Sequence, residues 1–218
     1  MTITPREASA NARELCGLAP VIPVLVVEDA AHARPLAEAL VAGGLPVLEV
    51  TLRTPAALEA IRVMAGVEGG VVGAGTLLTP ADVRAAKDAG ALFGVSPGVT
   101  DALLDACEAA DLPLLGGVAT VSEAMRLLDR GYDAAKFFPA ETNGGAAALR
   151  AFAGPLPQMA FCPTGGVTPA NAPDYLALPN VLCVGGSWVA SPALMRAGRW
   201  DEIERLARAA SALARGPR

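Results

Sequence analysis

With 218 residues, 53% of them hydrophobic and 18% charged, and a formal net charge of −5, the chain has material for one sizeable core and no basic surface suited to nucleic acid. Gly, Pro or a charge interrupts every apolar run before the roughly 18–20 residues that cross a bilayer, and the N-terminus lacks the basic-then-apolar order of a secretory signal. A cytoplasmic protein with no membrane partner is therefore expected.

The first 19 residues read as an amphipathic lead-in helix. Eight apolar segments rich in Val, Leu or Gly follow: Pro20–Val27, Pro46–Leu52, Gly70–Leu77, Leu92–Gly98, Pro113–Thr120, Ala134–Ala140, Met159–Gly166 and Asn180–Trp188. Their starts lie 21 to 26 residues apart. Alanine-rich stretches with charges at helical spacing separate them, among them Ala30–Val41, Pro80–Ala89, Asp101–Ala109 and Val121–Arg130. Strands alternating with helices imply right-handed βαβ units and a parallel sheet. Repetition at a near-constant pitch favours closure into a single-domain (β/α)8 TIM barrel over an open sheet. Residues 20–188 would hold its strands and residues 189–218 its closing helices. Thr54-Pro55, Thr79-Pro80, Thr168-Pro169 and Ser191-Pro192 look like capped helix starts, and Gly43-Gly44, Gly90 and Gly131 like helix stops. Trp200–Ala214 is expected as the last helix, with a frayed Gly216-Pro217-Arg218 after it.

The four cysteines, Cys16, Cys107, Cys162 and Cys183, form no C-x-x-C pair and are expected as buried free thiols. The single histidine, His32, rules out a multi-histidine metal site and leaves no Ser-His-Asp system unless it serves one; a solvated place at a helix start is its expected role. Of the two lysines, Lys87 sits in a helical stretch, whereas Lys136 lies inside the apolar run Ala134–Ala140. Lysine is almost never buried without a partner or a reason. A desolvated amine can attack a carbonyl, and a structural ion pair is the competing explanation.

Active sites of such barrels lie at the C-terminal ends of the strands. The second segment places Glu49, Thr51 and Arg53 at alternate positions, hence on one face while strand geometry lasts. The third ends at Thr76, the fourth at Pro97-Gly98, and the sixth carries Phe138 on the same face as Lys136. A carboxylate, a guanidinium and an amine converging on one mouth suit a catalytic site, with a buried salt-bridge network as the alternative. The seventh and eighth segments end in Thr164-Gly165-Gly166 and Gly185-Gly186-Ser187. Glycine pairs at those two strands suit phosphate better than tight turns alone. No nucleotide-binding glycine motif occurs.

Glu49-Val-Thr-Leu-Arg53, Val72-Gly-Ala-Gly-Thr76, Ser96-Pro-Gly98, Lys136-Phe-Phe-Pro-Ala-Glu141, Phe161-Cys-Pro-Thr-Gly-Gly166 and Gly185-Gly-Ser-Trp188 together resemble the 2-keto-3-deoxy-6-phosphogluconate aldolase family, which includes 4-hydroxy-2-oxoglutarate aldolase activity. The resemblance implies a metal-independent class I aldolase of the Entner–Doudoroff pathway, needing no cofactor beyond a covalent imine and typically a homotrimer. It implies Lys136 as the Schiff-base lysine and Glu49 as general acid/base. Arg53 and Thr76 would hold the pyruvyl carboxylate, with Pro97 and Phe138 as apolar walls. Thr164, Gly165, Gly166, Gly185, Gly186 and Ser187 would cradle the phosphate. A phosphorylated 2-keto acid and pyruvate are the implied small-molecule partners. A phosphosugar isomerase and a phosphate-binding barrel without chemistry are the rival readings.

Overall fold

The computed structural model describes residues 2–216. Helix α1 (Pro5–Gly17) opens the chain, begun by Thr4, whose hydroxyl accepts the Glu7 amide while Glu7 caps Thr4 in return. Nine short strands follow: β1 (Val21–Leu25), β2 (Val47–Thr51), β3 (Val71–Gly75), β4 (Gly94–Val95), β5 (Leu114–Leu115), β6 (Gly117–Val118), β7 (Ala134–Phe137), β8 (Ala160–Pro163) and β9 (Val184–Gly186). Between and after them run α2 (Ala33–Ala42), α3 (Ala57–Met64), α4 (Pro80–Asp88), α5 (Asp101–Ala109), α6 (Val121–Arg130), α7 (Gly145–Phe152), α8 (Ala172–Leu176), α9 (Pro192–Arg196) and α10 (Trp200–Ser211).

The strands pair in parallel throughout, in the orders β5-β4-β3-β2-β1-β9 and β6-β7-β8. Isolated bridges Phe161↔Val181 and Thr164↔Gly185 link β8 to the segment of β9. This is an α/β fold with a curled parallel sheet. Almost every strand residue is buried, as expected when helices cover one face and other strands the other.

The segment expected as one fifth strand is instead two, β5 and β6, interrupted at Gly116. The ladder from β4 to β5 ends at Val95↔Leu115, its last bond running from the Ser96 amide to the Leu115 carbonyl. Gly117 then passes so close to Pro97 that a Cβ on it would lie 2.2 Å from the Pro97 carbonyl.

Helix boundaries follow the capping chemistry. Thr79 and Thr120 cap α4 and α6 through reciprocal boxes with Asp82 and Glu123, and Ser191 caps α9. Two expected caps do not open the helices that follow. Thr54 donates to the Val27 carbonyl at 2.5 Å and leaves α3 to start at Ala57. Thr168 Oγ1 accepts the Asn171 amide at 3.4 Å as a cap would, and its own amide donates to Asn171 Oδ1, but this closes a single turn and α8 starts only at Ala172. His32 is half-buried rather than solvated, its ring 5.5 Å from that of Trp200. Gly216 is tied down by donating to the Leu176 carbonyl, 2.8 Å; Pro217 and Arg218 lie outside the described residues. No described helix is long and apolar enough to cross a membrane.

Helix α10 closes the chain against α2, with Gly43 at the point of contact. A Cβ there would fall 2.4 Å from Ala207 Cβ and 2.8 Å from the Glu204 carbonyl oxygen, and backbone cannot step aside. Gly43→Ala should therefore cost about 1–3 kcal/mol through overpacking. Urea titration and a fall of several degrees in Tm would register it.

Candidate active site

Two charged side chains meet in the interior. Glu49 on β2 and Lys136 on β7 are each 3% exposed, and Lys136 Nζ stands 3.2 Å from Glu49 Oε1. Their strands are not neighbours in the sheet, so the pair spans the interior. Glu49 fits because Gly75 on the adjacent strand has no side chain: a Cβ there would lie 2.4 Å from Glu49 Oε1. Lys136 Nζ also stands 5.1 Å from the centre of the Phe138 ring, within cation–π range.

Arg53 follows the end of β2 and is exposed at the mouth, where its Nε donates to Thr76 Oγ1 at 3.2 Å. Thr76 has φ of +63°, a strained value for a β-branched residue and one that persists only where the surroundings enforce it. Arg53, Phe138 and Pro192 line a pocket of about 260 Å³ together with Thr164–Val167 and Gly185–Ser187. Phe138 joins the two parts of the site, since it faces Lys136 on one side and the glycine-rich end of the pocket on the other. A hollow of about 370 Å³ lies at the N-terminal end of β7, lined by Arg6, Arg13 and Tyr132 among others, but it brings no buried amine and carboxylate together.

The two glycine pairs differ in what they do. Gly165 and Gly166 turn the chain at φ +98° and +79°, conformations that glycine adopts freely. Gly185 and Gly186 belong to β9 and serve close packing: a Cβ on Gly185 would lie 2.2 Å from Thr164 Oγ1, and one on Gly186 1.8 Å from the Trp188 ring. Pro97 is half-buried against Gly117 and is absent from the pocket lining. Ser187 is exposed at the rim.

Below Lys136 the interior is apolar and carries thiols. Cys162 is its register partner on β8, and Cys162, Cys16 and Cys183 are all buried and free. Hydrogen bonds from Cys16 and Cys183, and then the charge of Lys136, hold the Cys162 thiol below its usual range. Burial, aided by Glu108, pushes the distant Cys107 thiol up to about 12. Among the described residues no group of three His, Cys, Asp or Glu is placed to hold a metal ion.

Most of the expected site residues thus converge: Glu49 with Lys136, Phe138 beside Lys136, Arg53 with Thr76, and Thr164 with Gly185. Sequence reasoning gave no role to Gly75, Glu141, Asn171 or Tyr175. Gly75 was legible in principle, because it precedes Thr76 on the strand beside Glu49.

The model of the KDPG and KHG aldolase family matches residues 12–206. The KHG/KDPG aldolase of Escherichia coli K12 is 52% identical over 201 residues, 92% of this chain and 94% of that protein. The solved 2-keto-3-deoxy-6-phosphogluconate aldolase of Zymomonas mobilis ZM4 with 3-phosphoglycerate superposes with a TM-score of 0.90 at 52% identity, covering 95% of this chain and 98% of that one. The aldolase of Legionella pneumophila, holding pyruvate as a covalent carbinolamine, matches at TM-score 0.89 and 46% identity over 92% of this chain and 98% of its own.

Removing one member of a buried ion pair strands the other charge. Glu49→Ala should lower the unfolding free energy at neutral pH by about 3–5 kcal/mol, read by urea denaturation. A loss under about 1 kcal/mol would mean that water reaches Lys136 freely.

Proposed function

The chain belongs to the KDPG and KHG aldolase family, and we propose that it cleaves 2-keto-3-deoxy-6-phosphogluconate to pyruvate and glyceraldehyde 3-phosphate through an imine on Lys136. The same steps would cleave 4-hydroxy-2-oxoglutarate to pyruvate and glyoxylate. One observation carries the assignment of roles: a buried amine 3.2 Å from a buried carboxylate, behind a ring that also lines a pocket ending in a glycine turn.

The Lys136 amine, having passed a proton to Glu49, adds to the C2 ketone and forms a C–N bond. The carbinolamine loses its oxygen as water, with Glu49 returning the proton, and leaves a protonated imine. Glu49 then accepts the proton of the C4 hydroxyl, directly or through a water. The C4–O bond becomes a carbonyl, the C3–C4 bond breaks, and its electron pair neutralises the iminium to give an enamine. Protonation at C3 followed by addition of water frees pyruvate and regenerates the amine.

Arg53, bound to Thr76, is a fork for the pyruvyl carboxylate, which a guanidinium holds in bidentate fashion. Phe138 and Pro97 keep the imine flat and dry. Thr164, Gly165, Gly166, Gly185, Gly186 and Ser187 hold the phosphate. Binding gained there positions the reacting carbons, so the phosphorylated substrate should turn over faster than one lacking the group. No cofactor enters these steps. The strand order and the bridges from β8 to β9 support a single-domain, closed (β/α)8 barrel. The family resemblance supports a homotrimer in the cytoplasm; sedimentation equilibrium should give three times the chain mass of 22.0 kDa.

Incubation with pyruvate and borohydride should leave a reduced adduct that maps to Lys136 by mass spectrometry. An adduct on Lys87, or none, would overturn the reading and favour an isomerase or a binding protein. Glu49→Gln should lower kcat by about 10²–10⁴-fold, the usual contribution of a positioned acid/base.

A further inference from the structure

The turn assigned above to phosphate is fastened by residues that have no part in the steps just described. The Gly165 carbonyl accepts the Glu141 amide at 3.1 Å, and the Gly166 carbonyl accepts Asn171 Nδ2 at 3.1 Å. Asn171 is oriented by Thr168, whose amide and hydroxyl donate to its Oδ1 at 2.7 and 3.2 Å. With both carbonyls engaged in this way, the amides of Gly165 and Gly166 donate to no other described residue. Two successive unengaged amides in a turn form an anion-binding nest.

Glu141 backs the turn closely. A Cβ on Gly166 would lie 2.6 Å from Glu141 Cγ, which puts the protein's own carboxylate side chain against the turn. It is held by the hydroxyl of Tyr175, which donates to Glu141 Oε1 from a ring only 1% exposed on α8. Burial, then the Glu141 carboxylate, pushes that hydroxyl above the ordinary phenol range, so it remains a donor. Without the hydroxyl, Glu141 would be free to occupy the nest or to repel a phosphate approaching it.

We infer that Tyr175, Glu141 and Asn171 are positioning residues for the anion-binding turn. They aim its amides and keep the protein's own carboxylate out of them, and so set the preference for phosphorylated over unphosphorylated 2-keto acids without touching either. The inference rests on the phosphate reading proposed above. Lys136 and Glu49 do not touch the bracket, so its loss shows for the phosphorylated substrate class only.

The experiment compares Tyr175→Phe, Glu141→Gln and wild type on 2-keto-3-deoxy-6-phosphogluconate and on 4-hydroxy-2-oxoglutarate, with inorganic phosphate as competitor. Tyr175→Phe should raise KM for the phosphorylated acid roughly fivefold, the scale of one hydrogen bond, and weaken phosphate inhibition alike. Both constants for the unphosphorylated acid should stay within about twofold. Glu141→Gln keeps an acceptor for Tyr175 and removes the competing charge, so it should bind phosphate at least as well as wild type. Asn171→Ala, at a half-buried position, should raise KM in the same selective way and stands in if Tyr175→Phe fails to fold. A loss shared equally by both substrates, or an unchanged KM, overturns the positioning role alone. A wild type that neither prefers the phosphorylated acid nor is inhibited by phosphate overturns the phosphate reading and this inference with it.

Discussion

Keeping a lysine and a glutamate out of water together governs how the mouth of this protein is built. Each charge costs several kcal/mol to desolvate, and their attraction offsets that only when the partners are held at hydrogen-bonding distance. Lys136 and Glu49 meet this condition from β7 and β2, both of them rigid strands. The space between is cleared by Gly75, whose missing side chain is the room that Glu49 occupies. Phe138 then covers the amine, so its nitrogen faces a ring as well as its counter-ion. The proposed nucleophile and base are thereby adjacent before any substrate arrives.

From that pair outward the polarity is graded. Below it lie Cys16, Cys162, Cys183 and Phe93, all buried, which give the amine an apolar floor. Above it come Arg53, bound to a strained Thr76, and then the glycine turn after β8. Arg53 and the glycine turn line one pocket with Phe138 between Lys136 and that turn, an arrangement that suits the proposed substrate, with a carboxylate at one end and a phosphate at the other. The turn itself is held from behind by Glu141 and Asn171, so its geometry derives from elements beyond the pocket lining.

Much of this was legible along the chain. Periodicity placed the strands within a few residues because a parallel ladder buried on both faces leaves an apolar run that polar helices interrupt. Asp101–Ala109 and Val121–Arg130 were read with their true limits, since Thr100 and Thr120 cap them. The break at Gly116 was not legible, because it arises from Pro97 on a different strand pressing against Gly117. Thr54 looked like a cap, yet it found the Val27 carbonyl, which only the fold brought within reach, and the Thr168 turn closes locally on Asn171 without running on into a helix. The second glycine pair reads as a ligand loop along the chain, and only the fold shows that it also leaves room for Thr164 and Trp188.

Sequence alone determined the residue types at the strand ends, and with them the chemistry open to the protein. A lysine in an apolar run, a carboxylate and guanidinium on one face and glycines after two late strands are local facts, carried by parity and composition. Tertiary structure decided which of them meet. The 3.2 Å approach of Lys136 to Glu49, the glycines that make room for it and the Tyr175–Glu141 bracket all join segments far apart in the chain. Contacts of that kind depend on how the sheet curls and where each helix returns, and no local pattern encodes the distance between two strands that do not pair.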